Sequence, residues 1–311
     1  MRRSRPGERA AAEADRGWVP SRSPEVSAGR RGPDTKVRGR DRVARATLYL
    51  VLSGGLVLVV GPFVWMLLSS LKPEAEIRAN PPTWWPHDPT LANFGSLFDR
   101  LDFPAYFTNS AVVAVVTTVG NLLFCSAAGY ALAKLPFAGK RVLFGIVLGT
   151  LMVPSIVTIV PLFVLSSNLG LVNTLAGLIL PYLAQAFGVF LMRQFIMSIP
   201  DDLLEAARID AASELRIYWQ IVLPLCRPAL ATLGILTFLA SWNNFLWPLV
   251  AATEEETYTL PVALALYAIG QNRTDYELLL AGAVVIVLPV IIVFVLLQRH
   301  FVRGIATTGL K

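Results

Sequence analysis

Six long apolar runs divide this 311-residue chain, each close to the roughly 20 residues a helix needs to cross about 30 Å of hydrocarbon. They lie near Thr47 to Leu71, Asn109 to Ala133, Val142 to Ser166, Asn173 to Ile196, Ala229 to Ala251 and Leu278 to Phe301. Hydrocarbon offers no water to backbone N–H and C=O groups, so runs of this length must be helices. With 55% hydrophobic and only 15% charged residues, the chain is too apolar for an ordinary soluble domain. The expected fold is an all-α integral membrane protein with six transmembrane helices, in a multi-pass arrangement in the cell membrane.

Cationic loops stay on the cytoplasmic side. Arg2, Arg3, Arg5, Arg9, Arg16 and further Lys and Arg residues up to Arg45 precede the first run; Lys134, Lys140 and Arg141 follow the second. Arg193, Arg208, Arg216 and Arg227 surround the connection between the fourth and fifth runs, and Arg299, Arg303 and Lys311 close the chain. Six spans put all of these on one side, so both termini are expected to be cytoplasmic. The net charge of +6 then reflects topology and attraction to anionic lipid; no nucleic-acid partner is expected. Residues 1–45 mix Arg with Pro, Gly, Ser and acids without apolar periodicity, which reads as a disordered tail. The first span reads as an uncleaved anchor, and 46–311 as the membrane domain.

Cys125 and Cys226 are expected to form no disulfide, and His87 and His300 are isolated, so no metal or cofactor site is expected on this chain. Gly139 and Lys140 lack the rest of a phosphate loop, and no nucleophile and base pair appears in the spans. The chain itself is not expected to be an enzyme or to hydrolyse ATP.

Two long outer loops, Lys72 to Phe107 and Thr253 to Glu277, read either as membrane-anchored connectors or as platforms for an extracytoplasmic partner; Trp84 and Trp85 suit an interface. Within the spans, Pro154, Pro161, Pro181, Pro248 and Pro289 should kink or unwind their helices. Asn243 and Asn244 follow Trp242 in the fifth run. Burying an amide in hydrocarbon costs several kcal/mol unless it is bonded, so this pair must face another helix or a wet pathway.

The fourth and fifth runs are joined by a long polar loop, 197–228. Pro200 can open a helix at its first turn, where Asp201 and Asp202 complement the helix dipole. Leu203, Leu204, Ala206, Ala207 and Ile209 form a compact surface carrying Glu205, and Ser213 can cap a second helix through Gln220. The chemistry alone leaves two roles for Glu205 open: docking into a partner's groove, or an intrahelical pair with Arg208 worth about 0.2 to 0.5 kcal/mol.

The stretch EAARIDAASELRIYWQIVLPLCRPAL resembles the cytoplasmic signature loop of the membrane subunits of binding-protein-dependent ABC importers, whose pattern is EAA-x3-G-x9-[IV]-x-LP. Glu205, Ala206, Ala207, Asp210, Ile221, Leu223 and Pro224 match, and Ala211 stands where the family usually has Gly. NPPTWWPHDPTLANF, NLGLVNTLAGLILPY, FLMRQFIMSIPDDLLEAARID, SWNNFLWPLV, TLPVAL and FVRGIATTGLK are similar to the shorter permease of the maltose-type, carbohydrate-uptake branch; the Arg-rich tail lies outside the likeness.

The resemblance implies a second permease subunit completing a heterodimer, two ATPase subunits that carry ATP and Mg, and an extracytoplasmic solute-binding protein. It makes 197–228 the coupling loop and Glu205 the charge placed in the ATPase groove, and it suggests a sugar or oligosaccharide as solute. Asn243 and Asn244 become candidates for the translocation path. A permease for a non-sugar solute and a membrane scaffold or sensor remain the competing readings.

Overall fold

The computed structural model describes residues 35–269 and 274–308, with side chains described over 44–269 and 274–296. Most of the expected tail therefore lies outside the described residues. The described residues divide into two compact units, one up to Leu58 and one from Val59. The described residues are predominantly helical; their β feature is an isolated bridge between Ile269 and Thr274.

Helix α1 (Thr35–Ser69) takes in the first apolar run and begins inside the expected tail; Pro62 lies within it. The first outer loop holds two short helices, α2 (Glu74–Ile77) and α3 (Ala92–Arg100). Helix α4 (Phe103–Lys134) opens on an Asp102 cap that accepts from the Ala105 N–H, with Pro104 in its first turn where a missing N–H costs nothing. It runs unbroken because nothing inside it lacks a backbone donor.

The next three apolar runs are each broken. The third consists of α5 (Lys140–Leu151) and α6 (Ser155–Asn168), which meet at 105°. Pro154 sits at that corner: it supplies no N–H and drives Val153 away from the helical region. Pro161 lies inside α6, which continues through it without unwinding. The fourth run is α7 (Leu175–Ile179), a 3-10 turn over Leu180–Tyr182 that carries Pro181, and α8 (Ala186–Met197), with a bend of 41°.

The polar loop follows as α9 (Asp201–Ile209) and α10 (Glu214–Ile217), then a π-helical turn over Tyr218–Val222 and α11 (Leu223–Leu225). Pro224 cannot bond the Gln220 carbonyl and crowds it, which accounts for the wide turn just before it. A 79° bend leads into α12 (Arg227–Trp242), and a short break separates that helix from α13 (Leu246–Ala251). Helices α14 (Leu260–Ala268) and α15 (Tyr276–Thr308) complete the order, with Pro289 inside α15.

Three unbroken helices, α1, α4 and α15, are long and apolar enough to cross a membrane, and the three bent pairs bring the total to six if each counts as one span. Helix α4 is central: it packs against α8 and α12, and α12 packs against α15, where the Trp242 indole donates to the Ile286 carbonyl at 2.9 Å. The α4–α8 contact is close because of glycine. A Cβ at Gly188 would stand 2.7 Å from both Asn121 Oδ1 and Cys125 Sγ, and one at Gly129 would stand 2.9 Å from the Arg193 nitrogen. Small residues at such a crossing supply the packing that drives helix association in lipid.

Leu204, Ile217, Val222, Met192, Ile196 and Leu233 form one buried cluster, which places the polar loop on the bundle. A second cluster joins Leu97 and Leu101 to Leu260, Leu264 and Ala268, so α14 in the second outer loop is packed rather than free. Apolar side chains also face outward, with Met152 84% and Val160 70% exposed. In water such a surface would be a liability; against acyl chains it is the favoured one.

The first outer loop is held by its own polar groups. Lys72, only 2% exposed, donates to the Thr83 carbonyl and to Thr83 Oγ1 at 3.1 Å. Glu76 accepts from Thr83 Oγ1 at 2.8 Å and from the His87 N–H, and buried Asn93 donates to the Ser70 and Lys72 carbonyls at 2.8 Å each. Arg78 lies 4.9 Å from the Tyr276 ring, and Arg100 pairs with Asp275 at 2.6 Å, so the two outer loops are joined. Trp84 and Trp85 project from this scaffold, both exposed.

Candidate functional site

Helix α9 is amphipathic, and its apolar side decides how it sits. Leu204 is fully buried, and Ala207 with Ala212 packs on the same cluster. The opposite side carries Asp202, Glu205, Ala206 and Ile209, at helical spacings that share a face, and all four are exposed. Ile209 is 84% and neighbouring Leu203 49% exposed. Among the described residues Glu205 makes no hydrogen bond or ion pair. The Arg208 guanidinium is taken instead by Glu214, at 2.7 Å, which removes the intrahelical pairing as the role of Glu205.

Pro200 is the capping residue rather than the first helical one, and Asp201 follows it inside the helix. The Lys134 ammonium, at the last residue of α4, pairs with Asp201 at 2.7 Å and also donates to the Ile199 carbonyl at 2.6 Å. That hydrogen bond from Lys134 is the main cause holding the Asp201 carboxyl below the usual carboxylate range.

The far end of α9 closes with two bonds: the Ala212 N–H reaches the Ala207 carbonyl, and the Ala211 N–H reaches the Arg208 carbonyl, each at 3.0 Å. This is the glycine-type helix ending, which needs a left-handed residue. Ala211 adopts it, at φ 55. The turn that the family's Gly would make is therefore kept at the cost of a strained alanine, about 1 kcal/mol. Asp210, the residue before it, ends the helix and is exposed. Ser213 then caps α10, accepting from the Arg216 N–H at 3.3 Å, as its position suggests. Leu223 packs against the buried cluster and Pro224 is exposed.

Asn243 and Asn244 are not brought to this loop. They stand at the other end of α12, about 24 Å away by helix rise, in the break before α13. Asn243 donates back to the Leu239 carbonyl at 2.9 Å, closing its own helix, and remains exposed. Asn244 lies against the Tyr182 hydroxyl, at the break in the fourth run. Two interrupted spans thus meet through these side chains. Irregular backbone at membrane depth is tolerated where it is buried in protein or lines a wet cavity.

Residues not singled out in the sequence complete this region. Asn121 on α4, fully buried, donates to the Tyr182 carbonyl at 2.8 Å, and Cys125 one turn on lies 3.0 Å from Asn121 Oδ1 and 3.4 Å from the Gln185 carbonyl. They satisfy carbonyls that the broken helix cannot. The signal was present: Asn121, Cys125 and Gly129 recur every fourth residue in a largely apolar run. Among the described residues no group of three or more His, Cys, Asp and Glu is placed to hold a metal.

The long α4, the broken helices packed around it and an exposed helix pinned to its end form the framework of the site. Residues 125–307 match the family described as binding-protein-dependent transport system inner membrane component, and the chain belongs to that family. It is 40% identical over 259 residues to the arabinooligosaccharides transport system permease protein of Halalkalibacterium halodurans, covering 82% of this chain and 92% of that one. It is 35% identical to the diacetylchitobiose uptake system permease protein of Streptomyces coelicolor, over 86% of this chain and 89% of that one. Among solved structures, a chain of a bacterial ABC transporter involved in the import of the acidic polysaccharide alginate superposes with a TM-score of 0.75 at 26% identity, over 84% of this chain and 98% of that chain.

Proposed function

We propose that this chain is one permease half of an ATP-driven importer for a sugar or oligosaccharide, and that α9 is the helix through which it engages a separate ATPase. The observation that carries this reading is the outward side of α9. An unpaired carboxylate, Glu205, sits between small Ala206 and exposed Leu203 and Ile209, on a helix whose other side is anchored by Leu204. A surface with alanine beside a free charge lets another backbone come close and offers that charge one partner.

In this reading α1, α4, the bent pairs α5–α6 and α7–α8, α12 with α13, and α15 each make one crossing, which gives six spans. The α9–α11 segment belongs to the cytoplasmic loop, because α12 and α13 together suffice for the fifth crossing. The Lys and Arg pattern supports cytoplasmic termini. A second permease, two ATPase subunits binding ATP and Mg, and an extracytoplasmic solute-binding protein complete the machine. The solute class rests on the likeness to permeases named for arabinooligosaccharides and diacetylchitobiose.

Removing one partner of a desolvated interfacial charge pair costs about 2 to 5 kcal/mol. Glu205→Ala should therefore weaken ATPase association, read by co-purification from detergent, and abolish ATP-driven uptake in vesicles; intact association and uptake would falsify the role.

Asn244 and Asn243 are placed beside the translocation path, where amides can donate to and accept from sugar hydroxyls. Asn244→Leu should lower uptake without releasing the ATPase. Uptake at the wild-type rate removes Asn244 from the path.

A further inference from the structure

Helix α9 is held at both ends by a single turn of α4. At its start Asp201 meets the nearly buried Lys134 in a single ion pair, its own side open to solvent. At its end the grip is different. Glu214 takes the Arg208 guanidinium with both oxygens, Oε1 from Nε at 2.7 Å and Oε2 from an amino nitrogen at 3.4 Å, and the same Oε2 accepts from the Tyr130 hydroxyl. Tyr130 and Lys134 lie four residues apart on α4 and so share a face. Tyr130 is buried, and hydrogen bonds to an ionised group are shorter and about twice as strong as neutral ones.

The contacts continue inward from Tyr130. Its ring lies 5.7 Å from the Tyr218 ring, and the Tyr218 hydroxyl is 2.7 Å from Ser126 Oγ, back on α4. Ser126 adjoins Cys125, and with Asn121 that residue holds the carbonyls of the broken fourth run. A chain of contacts, polar at its ends and aromatic between Tyr130 and Tyr218, therefore leads from the exposed helix to a break in the fourth run, and Glu214 is the group in it that touches both α9 and α4.

We propose that Glu214 is the positioning residue that makes α9 and the inner end of α4 move as one, so that displacement of α9 reaches the broken span. This deepens the coupling role given to α9 above and rests on it. Leu204 and the alanines beside it hold α9 through non-directional apolar contact, which permits sliding. The Arg208–Glu214–Tyr130 bonds are directional and resist it.

The test uses the complete transporter in vesicles and reads sugar taken up per ATP hydrolysed, alongside ATPase co-purification. Glu214→Gln and Tyr130→Phe should each lower that ratio by roughly 5-fold or more, the lower end of ordinary coupling between sites, with the ATPase still attached. The double variant should be no worse than the more severe single one, and Glu214→Asp should recover part of the ratio. Tyr130→Phe deletes one oxygen and keeps the Tyr218 ring contact, so it decides the matter if the Glu214→Gln permease fails to fold. An unchanged ratio overturns the proposal, and so does release of the ATPase by Glu214→Gln, which would make Glu214 a docking residue. Full association after Glu205→Ala would instead overturn the docking reading.

Discussion

Ala211 shows how a single methyl group can be out of place yet tolerated. The ending of α9 demands a left-handed residue, and at φ 55 the alanine pays a steric penalty that glycine escapes. Ala211→Gly should therefore stabilise the loop, by about 1 kcal/mol less the extra entropy glycine loses on folding. Slower hydrogen exchange at the Ala212 amide, whose bond to Ala207 closes the turn, is the measurement; faster exchange would show that the turn is not strained. Among the described residues the other left-handed non-glycine is Asn173, at φ 58, and its position has a clear function. Its side-chain oxygen accepts from the Thr253 N–H at 2.6 Å and its amide donates to Glu254 at 3.0 Å, tying the start of the fourth run to the end of the fifth. The residues proposed for coupling, Glu205, Ala206 and Ala207, were picked out by their order along the chain, although Ala207 packs inward on the buried cluster. The role of Glu214 could not, because the choice of Arg208 between Glu205 and Glu214 depends on a turn that brings α10 back beside α9.

Among the elements, the α4–α8 pair sets the architecture. Gly188→Ala would put a methyl 2.7 Å from Asn121 Oδ1 and Cys125 Sγ, in the place where α4 satisfies the broken run. Overpacking of this kind costs about 1–3 kcal/mol. A lowered midpoint for thermal unfolding in detergent is expected, and an unchanged midpoint would mean the two helices part at no cost. The unbroken helices were legible as long apolar runs. Their interrupted neighbours were only half legible: Pro154 and Pro161 lie in the same run, yet α6 passes through one and stops at the other. Whether a proline breaks a span depends on what can satisfy the freed carbonyl, and that partner comes from another helix. For Pro181 in the fourth run that partner is the Trp247 indole of α13, which donates to the freed Gly177 carbonyl at 3.1 Å, and nothing local to Gly177 announces it.

The whole molecule separates its tasks by depth. One end of α12 lies by the loop that faces a cytoplasmic motor in the proposed arrangement, and the other by the paired breaks. Composition and the spacing of apolar runs carried the membrane class, because a solvent without water leaves the backbone few choices. The folding of the outer loops was not legible, since sequence shows Lys72, Glu76 and Asn93 as scattered polar residues in a proline-rich stretch. Their mutual bonds, with the buried lysine at the centre, give that stretch a fixed shape before anything reaches it. A visitor to such a surface meets no floppy chain that must first be frozen, so little of the contact energy is lost to ordering. In the proposed arrangement, a small footprint for the solute-binding protein can then suffice for selective recognition and also lets go quickly once the cargo has been handed over.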